Sequence, residues 1–206
     1  PDNEELVFWA GGTIHKLNVD DKSVSDIAFK VDTTKKIQKA VRFTQNIDTD
    51  EFDVKMLRNV QISPDGETAL FEALGYIYKR DLESGKIKRL TKQTDHYELF
   101  PQYSRDGKNI VYTTWDDNEQ GTVRVVSARS GRGDTITQEP GKYVEPTFSP
   151  DGKTVVYRKA SGGSILNPKW SLHPGVYSVS AKGGKSELIS KSGYQPQFGS
   201  ANDRVY

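Results

Sequence analysis

The sequence EPTFSPDGKTVVY, residues 145–157, decides the fold of this chain. Two other stretches repeat its pattern, NVQISPDGETALF at 59–71 and FPQYSRDGKNIVY at 100–112. Proline presets φ for the first corner of a type I turn, aspartate bonds its own backbone, and glycine takes the position that needs a positive φ. The repeat therefore predicts one β-hairpin made three times, in which the turn residues are structural. These residues are Pro64, Asp65, Gly66, Asp106, Gly107, Pro150, Asp151 and Gly152.

The spacing of the turns predicts the architecture. The turn glycines recur after 41 and 45 residues, and each hairpin is followed by a third strand such as YIYKRDL (76–82) or GVYSVSA (175–181). A polar turn and a short fourth strand then close each unit. Four-stranded units at this period, with no helical periodicity, are typical of β-propeller blades. We therefore predict an all-β chain with four-stranded antiparallel blades, forming a partial ring of about four blades.

The blade boundaries follow from the same frame. Residues 1–29 fit a partial blade 1 without its first strand, and residues 30–59 form an insert of mixed charge, about one extra hairpin or loop. Blade 2 covers 60–94, blade 3 covers 95–140 and blade 4 covers 141–192. Residues 193–206 are the start of a further blade or a closure strand, in which Phe198 aligns with Phe148 and Tyr206 with Tyr157 if the turn is one residue shorter. The ring is either four-bladed, closed by residues 195–206, or part of a six- or seven-bladed one.

Composition excludes several classes of function. The 29 Lys and Arg residues nearly balance the 28 Asp and Glu residues, so no overall charge favours nucleic acid or an anionic membrane. The absence of cysteine excludes disulfides and thiolate metal sites, and no apolar run approaches the roughly 18 residues of a membrane helix. The chain begins at Pro1 and Met56 is its only methionine, so we expect a processed or excised segment.

The loops predict where a ligand would bind. In a four-stranded meander the S-x-D-G turns and the third-to-fourth turns share one end of each blade, which we call the turn face. The opposite end, the loop face, carries the longer connections, and function concentrates on such loops over a rigid scaffold. The candidate residues on this face are His96, Tyr97, Glu98, Trp115, Asp116, Asp117, Tyr143, Glu145, Trp170 and His173.

Each candidate has a structural alternative. His96, between Asp95 and Glu98, could be a polarised base or a ligand, but a histidine hydrogen-bonded to a neighbouring strand is the more common case. Asp116 and Asp117 could hold a hard cation through oxygens, yet they lack the glycine-punctuated spacing of a calcium loop, which favours a solvated turn.

The aromatic and histidine candidates are equally open. Trp115 and Trp170 could stack on a ligand, whereas a large aromatic at a strand end more often packs against its neighbours. The three histidines are dispersed, and no catalytic-triad order, HExxH, Walker loop or dinucleotide fingerprint occurs. We therefore predict no catalytic residue, no metal site and no cofactor in this segment.

Two resemblances extend this interpretation. The pattern PxFSPDGKxVVY, followed by VYSVSAKGGKSELIS, resembles the propeller repeat of TolB, of tricorn-type proteases and of the gating propellers of prolyl-oligopeptidase-like enzymes. The runs RFTQNIDTDEFDVKMLRNVQISPDG, DHYELFPQYSRDGKNIVYTTWDD and GKYVEPTFSPDG are similar to the N-terminal propeller of bacterial secreted amidohydrolases. The second resemblance implies a periplasmic or secreted protein whose downstream barrel holds zinc or another divalent metal.

Three functions remain open from the sequence. The first is a non-catalytic scaffold or substrate-gating propeller of a larger exported metal-dependent amidohydrolase, whose partner is the downstream hydrolase domain. The second is a TolB-like module that binds a protein or peptide in the bacterial periplasm. The third is a propeller hydrolase with its own acidic channel site.

Overall fold

The computed structural model describes residues 4–161 and 173–206, and all regular structure in these ranges is β-strand. The strands form four antiparallel sheets, so the predicted all-β architecture of antiparallel blades is confirmed. None of the described residues forms a helix long and apolar enough to cross a membrane. Trp170 lies outside the described residues.

The chain divides into two units, Pro1–Asp50 and Glu51–Tyr206. The first unit contains β1 (Glu5–Ala10), β2 (Thr13–Asn18) and β3 (Val24–Ile27), which pair in chain order as a three-stranded sheet. This sheet lies within residues 1–29, the range predicted as a partial first blade. Residues 28–57 contain no strand or helix, and apolar side chains in this segment, such as Ile37 and Phe43, are almost fully exposed. The extra hairpin considered for the insert is therefore absent.

The second unit contains three four-stranded meanders, each in chain order. Blade 2 consists of β4 (Arg58–Ile62), β5 (Thr68–Ala73), β6 (Tyr76–Asp81) and β7 (Ile87–Arg89). Blade 3 consists of β8 (Tyr97–Tyr103), β9 (Asn109–Trp115), β10 (Val123–Ser127) and β11 (Asp134–Thr135). Blade 4 consists of β12 (Tyr143–Phe148), β13 (Thr154–Lys159), β14 (Gly175–Ser180) and β15 (Glu187–Ser190).

The S-x-D-G residues form the hairpin turns of these blades. Gly152 has a φ of 70°, and its N–H donates to the Ser149 carbonyl at 2.9 Å. The Ser149 hydroxyl donates to Asp151 Oδ1 at 2.7 Å, and the same carboxylate oxygen accepts the Lys153 N–H at 3.0 Å. Blades 2 and 3 repeat this geometry, with φ values of 79° at Gly66 and 69° at Gly107. The aspartates are thus turn formers whose carboxylates are already engaged.

The hydrophobic core lies between neighbouring blades. Leu70, Ile77 and Leu90 of blade 2 cluster with Ile110 and Tyr112 of blade 3. The other face of blade 3 packs on blade 4 through a second cluster, made up of Val111, Val123, Ile136, Tyr143, Phe148, Val155, Tyr157 and Val179. Both faces of blade 3 are therefore buried against neighbouring blades. The first strand of blade 3, β8, contacts the first strands of blades 2 and 4, β4 and β12.

The last residues repeat the start of a blade. Phe198 and Val205 form an antiparallel bridge, as Phe148 and Val155 do in blade 4. The two turns therefore have the same length, and Tyr206 corresponds to Val156. The predicted alignment of Tyr206 with Tyr157 was therefore wrong by one residue. Residues 199–202 lack the S-x-D-G pattern, so the sequence does not show that this turn has the same length as the others.

Candidate functional site

The first strands share a local distortion that shapes a cavity. In each of them a register shift interrupts the pairing with the second strand, and one residue has a positive φ: Asn59 (48°), Phe100 (53°) and Glu145 (57°). Gln195 has the same conformation, at 49°, in the last repeat. A left-handed backbone is costly for any residue with a side chain, and such strain often clusters at binding sites. The distortion recurs four residues before the first turn residue of every repeat.

We call the space bounded by these strands the channel cavity, which has a volume of about 310 Å³. Its lining is mainly polar and comes from four successive repeats. The lining residues are Asn59, Gln61, Phe100, Pro101, Gln102, Glu145, Pro146, Gln195, Pro196 and Gln197.

Glu72 of β5 fixes one side of the channel cavity. Its side chain is buried, and one carboxylate oxygen, Oε2, accepts both Asn59 Nδ2 at 2.8 Å and the Phe100 N–H at 3.1 Å. The carboxylate therefore links blade 2 to the left-handed residue of blade 3. Hydrogen bonds to an ionised acceptor are stronger than neutral ones, so this contact stabilises the distorted strand.

Glu145 has the corresponding role on the other side. Arg158 donates to it through Nε and Nη2, both at 2.9 Å, and the Gln195 N–H donates to its Oε2 at 2.7 Å. The hydrogen bonds from Arg158 hold the pKa of Glu145 below its usual value. Glu145 is therefore an anionic acceptor at neutral pH, and it joins blade 4 to the last repeat.

A second pocket lies beside the channel cavity, between blades 3 and 4. We call it the blade 3–4 pocket; its volume is about 560 Å³ and its lining is more apolar than that of the channel cavity. Trp115, Tyr143 and Val144 line it together with Phe100, which also lines the channel cavity. Arg158 lines the blade 3–4 pocket and its partner Glu145 lines the channel cavity, so this ion pair stands between the two spaces.

The structure separates the candidate residues into groups. Trp115 and Tyr143 share the blade 3–4 pocket, and Glu145 lines the channel cavity. Tyr97 is exposed, with its ring centre 6.3 Å from that of Tyr76. His173 lies near Tyr143 in a further cavity of about 310 Å³.

His96 and Glu98 lie inside the protein. The His96 side chain is 7% exposed, and its Nδ1 is 3.4 Å from Asp95 Oδ1. Its buried Nε2 has no hydrogen-bond partner among the described residues. Burial, followed by the positive charge of Arg124, lowers the pKa of His96. Glu98 is fully buried and accepts hydrogen bonds from the Ile77 N–H and the Gln93 amide, so its carboxylate is not available on the surface of the loop face.

Asp116 and Asp117 organise their own loop. Asp116 accepts hydrogen bonds from the backbone N–H groups of Glu119 and Asn118 at 2.8 and 2.9 Å. These bonds lower the pKa of Asp116, and the bond from Glu119 has the largest effect. Asp117 accepts the indole N–H of Trp115 at 2.8 Å. These contacts match the solvated-turn alternative. In residues 4–161 and 173–206, no three His, Cys, Asp or Glu side chains are grouped to hold a metal ion.

Most residues of the channel cavity are not apparent as site residues from the sequence. They are Asn59, Gln61, Gln102, Gln195 and Gln197, together with the two residues that support the cavity, Glu72 and Arg158. A signal was present in the repeats, since a polar residue stands two positions before each turn and four positions before three of the four turns, the exception being Phe100. Glu72 and Arg158 occupy the same position of the second strand in blades 2 and 4, but nothing in the local sequence shows what they contact.

No family model matches the chain. It is 34% identical over 98 residues to the Tol-Pal system protein TolB of Francisella tularensis subsp. holarctica strain OSU18, a match covering 46% of this chain and 22% of that protein. The match thus covers only about a fifth of the length of this curated relative.

Solved structures show the same fold. TolB from Acinetobacter baumannii aligns with a TM-score of 0.55 and 19% identity over 100% of this chain and 46% of that one. A putative TolB from Agrobacterium tumefaciens aligns with a TM-score of 0.54 and 20% identity over 96% of this chain and 62% of that one. An oligogalacturonate lyase from Vibrio parahaemolyticus aligns with a TM-score of 0.55 and 12% identity over 93% and 50% of the two chains.

These likenesses define the class of protein. The chain is a β-propeller segment with four-stranded antiparallel blades. Within that class its repeats are TolB-like in both sequence and structure.

Proposed function

We propose that this chain is a TolB-like propeller module of the bacterial periplasm that binds a protein partner through an extended peptide segment. The observation that carries the proposal is the polar channel cavity next to the more apolar blade 3–4 pocket. The sequence relatives support it, because they are named Tol-Pal system protein TolB.

The lining of the channel cavity suits a peptide backbone. The side-chain amides of Gln61, Gln102 and Gln197 each donate and accept hydrogen bonds, as peptide groups do. Glu145 adds an anionic acceptor for N–H groups. A volume of about 310 Å³ lies at the lower end of the range for small-ligand sites, which is enough for a few residues of an extended segment.

The blade 3–4 pocket supplies the apolar part of the site. Trp115 and Tyr143 are residue types that dominate binding energy at protein interfaces, because they bury large surfaces at a low cost in conformational entropy. Phe100 borders both spaces, so one peptide can place its backbone in the channel cavity and an apolar side chain in this pocket.

The test uses a library of random 12-residue peptides displayed on phage, followed by titration calorimetry with the selected peptide. We expect Gln102→Met, which keeps the side-chain volume, and Trp115→Ala each to weaken binding about tenfold. Lys182→Ala, an exposed change in the turn between β14 and β15, is the control and should leave the affinity unchanged. The proposal fails if no selected peptide depends on Gln102 and Trp115.

A second candidate is the scaffold or substrate-gating propeller of a larger exported amidohydrolase. The exposed apolar side chains of residues 28–57, including Ile37, Val41, Phe43 and Ile47, favour it, since a neighbouring domain would cover such a surface. The hydrolase domain would hold zinc or another divalent metal, and the propeller would restrict access to it. Reading the parent gene beyond the codon for Tyr206 tests this, because a barrel with metal-binding histidine motifs is expected there.

A further inference from the structure

A groove between the outer strands of blade 2 and the neighbouring blade 3 collects positive charge. Its volume is about 510 Å³ and it shares no lining residue with the channel cavity. It starts at the turn between β6 and β7 and runs beside the loop that follows β10. We call it the cationic groove; six cationic side chains line it, namely Lys79, Lys86, Lys88, Arg89, Lys92 and Arg129.

The positive charge of the groove is not balanced locally. Of the described residues, Asp81 is the only carboxylate in its lining, and Asp81 Oδ1 accepts both the Ser84 N–H and the Ser84 hydroxyl at 2.7 Å. None of the six cations forms an ion pair with a carboxylate of the described residues. The positive charge of Lys79 contributes only a small lowering of the pKa of the exposed Asp65, at longer range. The chain as a whole has 29 cations and 28 acids, so this concentration is local.

Elsewhere in the described chain, most cations next to cavities have partners, with Lys185 as an exception. Arg158 pairs with Glu145 at 2.9 Å, and Lys159 pairs with Glu139 at 3.1 Å. The cationic groove differs because six cations share one lining carboxylate, Asp81, among the described residues, so the like charges repel one another with little counter-charge. That repulsion is relieved when an anion enters, and the gain falls with salt because exposed charges are screened over about 8–10 Å.

Two of the six cations are held in place. Lys79 Nζ donates to the Ala128 carbonyl at 2.6 Å, which ties blade 2 to blade 3. Arg89 Nη2 donates to the Gln93 carbonyl at 2.6 Å, and its Cζ lies 3.7 Å from the centre of the Tyr76 ring. The Arg89 Nε–H is buried and has no hydrogen-bond acceptor in the part of the chain that the structure describes. The other four cations are exposed at the rim.

We propose that the cationic groove binds a short linear oligoanion carrying several phosphate or carboxylate groups. Lys86 directly precedes β7, and its carbonyl accepts the Asp81 N–H at 3.0 Å, which continues the strand pairing to this residue. Alternate residues of an extended chain are about 6.6 Å apart, so Lys86 and Lys88 present charges at a repeat that successive anionic groups of such a chain can meet. Ser84 and Ser130 add hydroxyl groups, and the apolar Leu90 lines the floor. Among residues 4–161 and 173–206, no aromatic side chain lines the groove, which disfavours a stacked single-stranded nucleic acid.

The test measures binding of two probes, inorganic tripolyphosphate and trigalacturonate, to the 206-residue chain by titration calorimetry. The measurements are made in 30 mM and in 300 mM sodium chloride. We expect at least one probe to bind, with an association constant that falls at least tenfold at the higher salt. Binding of tripolyphosphate alone identifies phosphate as the anionic group, and binding of trigalacturonate alone identifies carboxylate. If neither probe binds at low salt, the proposal is overturned.

Matched variants separate a site from general charge attraction. The triple variant Lys86→Gln, Lys88→Gln, Arg129→Gln removes three positive charges from the groove. The control Lys35→Gln, Lys36→Gln, Lys39→Gln removes three from the exposed segment 28–57. We expect the groove variant to bind at least tenfold more weakly and the control to change less than twofold. Equal losses in the two variants would overturn the proposal.

A charge-preserving variant guards against a loss of fold. Lys86→Arg with Lys88→Arg keeps the positive charges and is expected to keep the affinity within about twofold. Thermal melting of all variants checks that the blades remain folded. Loss of binding in a folded Lys-to-Arg variant would contradict the charge argument.

Discussion

Replacement of Glu72 by alanine should destabilise the contact between blades 2 and 3. The buried carboxylate accepts the Phe100 N–H at 3.1 Å and the Asn59 amide at 2.8 Å. A hydrogen bond to a charged group contributes about 1.5–3 kcal/mol, and an unpaired buried N–H carries a similar penalty. Asn59 lines the channel cavity and can bond water instead, so most of the loss comes from Phe100. We expect Glu72→Ala to lower the free energy of unfolding by about 2–4 kcal/mol.

Glu72→Gln provides the graded comparison. The glutamine keeps the side-chain volume, and its amide oxygen can accept both donors, but it lacks the negative charge that strengthens these hydrogen bonds, so we expect a loss of roughly 1–2 kcal/mol. Urea unfolding followed by tryptophan fluorescence measures both variants, and a slope near 2 kcal/mol per molar places the alanine midpoint about 1–2 M below that of the parent. The exposed Glu67→Ala removes the same charge from blade 2 and should leave the midpoint unchanged. A Glu72→Ala midpoint equal to that of the control would refute this account of the distorted strand.

Three further outcomes are expected. Gly152→Val should lower stability by about 1–3 kcal/mol, because a β-branched residue is forced to a φ near 70° in open space, so that backbone strain alone contributes; an unchanged thermal melt would contradict the turn geometry. The pKa of Glu145 is lowered in the folded state, so its stabilising contribution is present above the unfolded value of about 4.3 and is lost as pH falls below it. The difference in unfolding free energy between the parent and Glu145→Gln should therefore shrink between pH 6 and pH 3, and a constant difference would argue against the ion pair with Arg158. Because the sequence contains no cysteine and only three dispersed histidines, the chain is expected not to hydrolyse amides when zinc is added; metal-dependent turnover would instead favour a propeller with its own active site.

The candidate site was only partly accessible to sequence reasoning. Trp115, Tyr143 and Glu145 were selected because long loops and strand entries gather at the loop face, and all three line the two adjoining cavities. Glu98 was selected in the same way but is fully buried. Its position next to loop residues gave no sign that it accepts the Ile77 N–H from blade 2.

Sequence patterns also gave only partial information about the turn face. The S-x-D-G repeat accounts for the aspartates of this face as turn formers, and the candidate site was predicted on the opposite face. The cationic groove nevertheless lies beside the turn that follows β6. It combines lysines of one blade with Arg129 of the next, and residues so far apart in sequence form no motif.

The sequence by itself determined the blades of this protein. Turn chemistry and strand alternation act over a few residues, so three copies of one hairpin signal were enough to predict four-stranded antiparallel sheets. Only the tertiary structure decided which side chains meet. Neighbouring blades pack through buried faces, and this packing brings residues about 40–50 positions apart to a common cavity. The Glu72 bond to Phe100, the Glu145 bond to Gln195 and the cationic groove all depend on that packing, which no local pattern encodes.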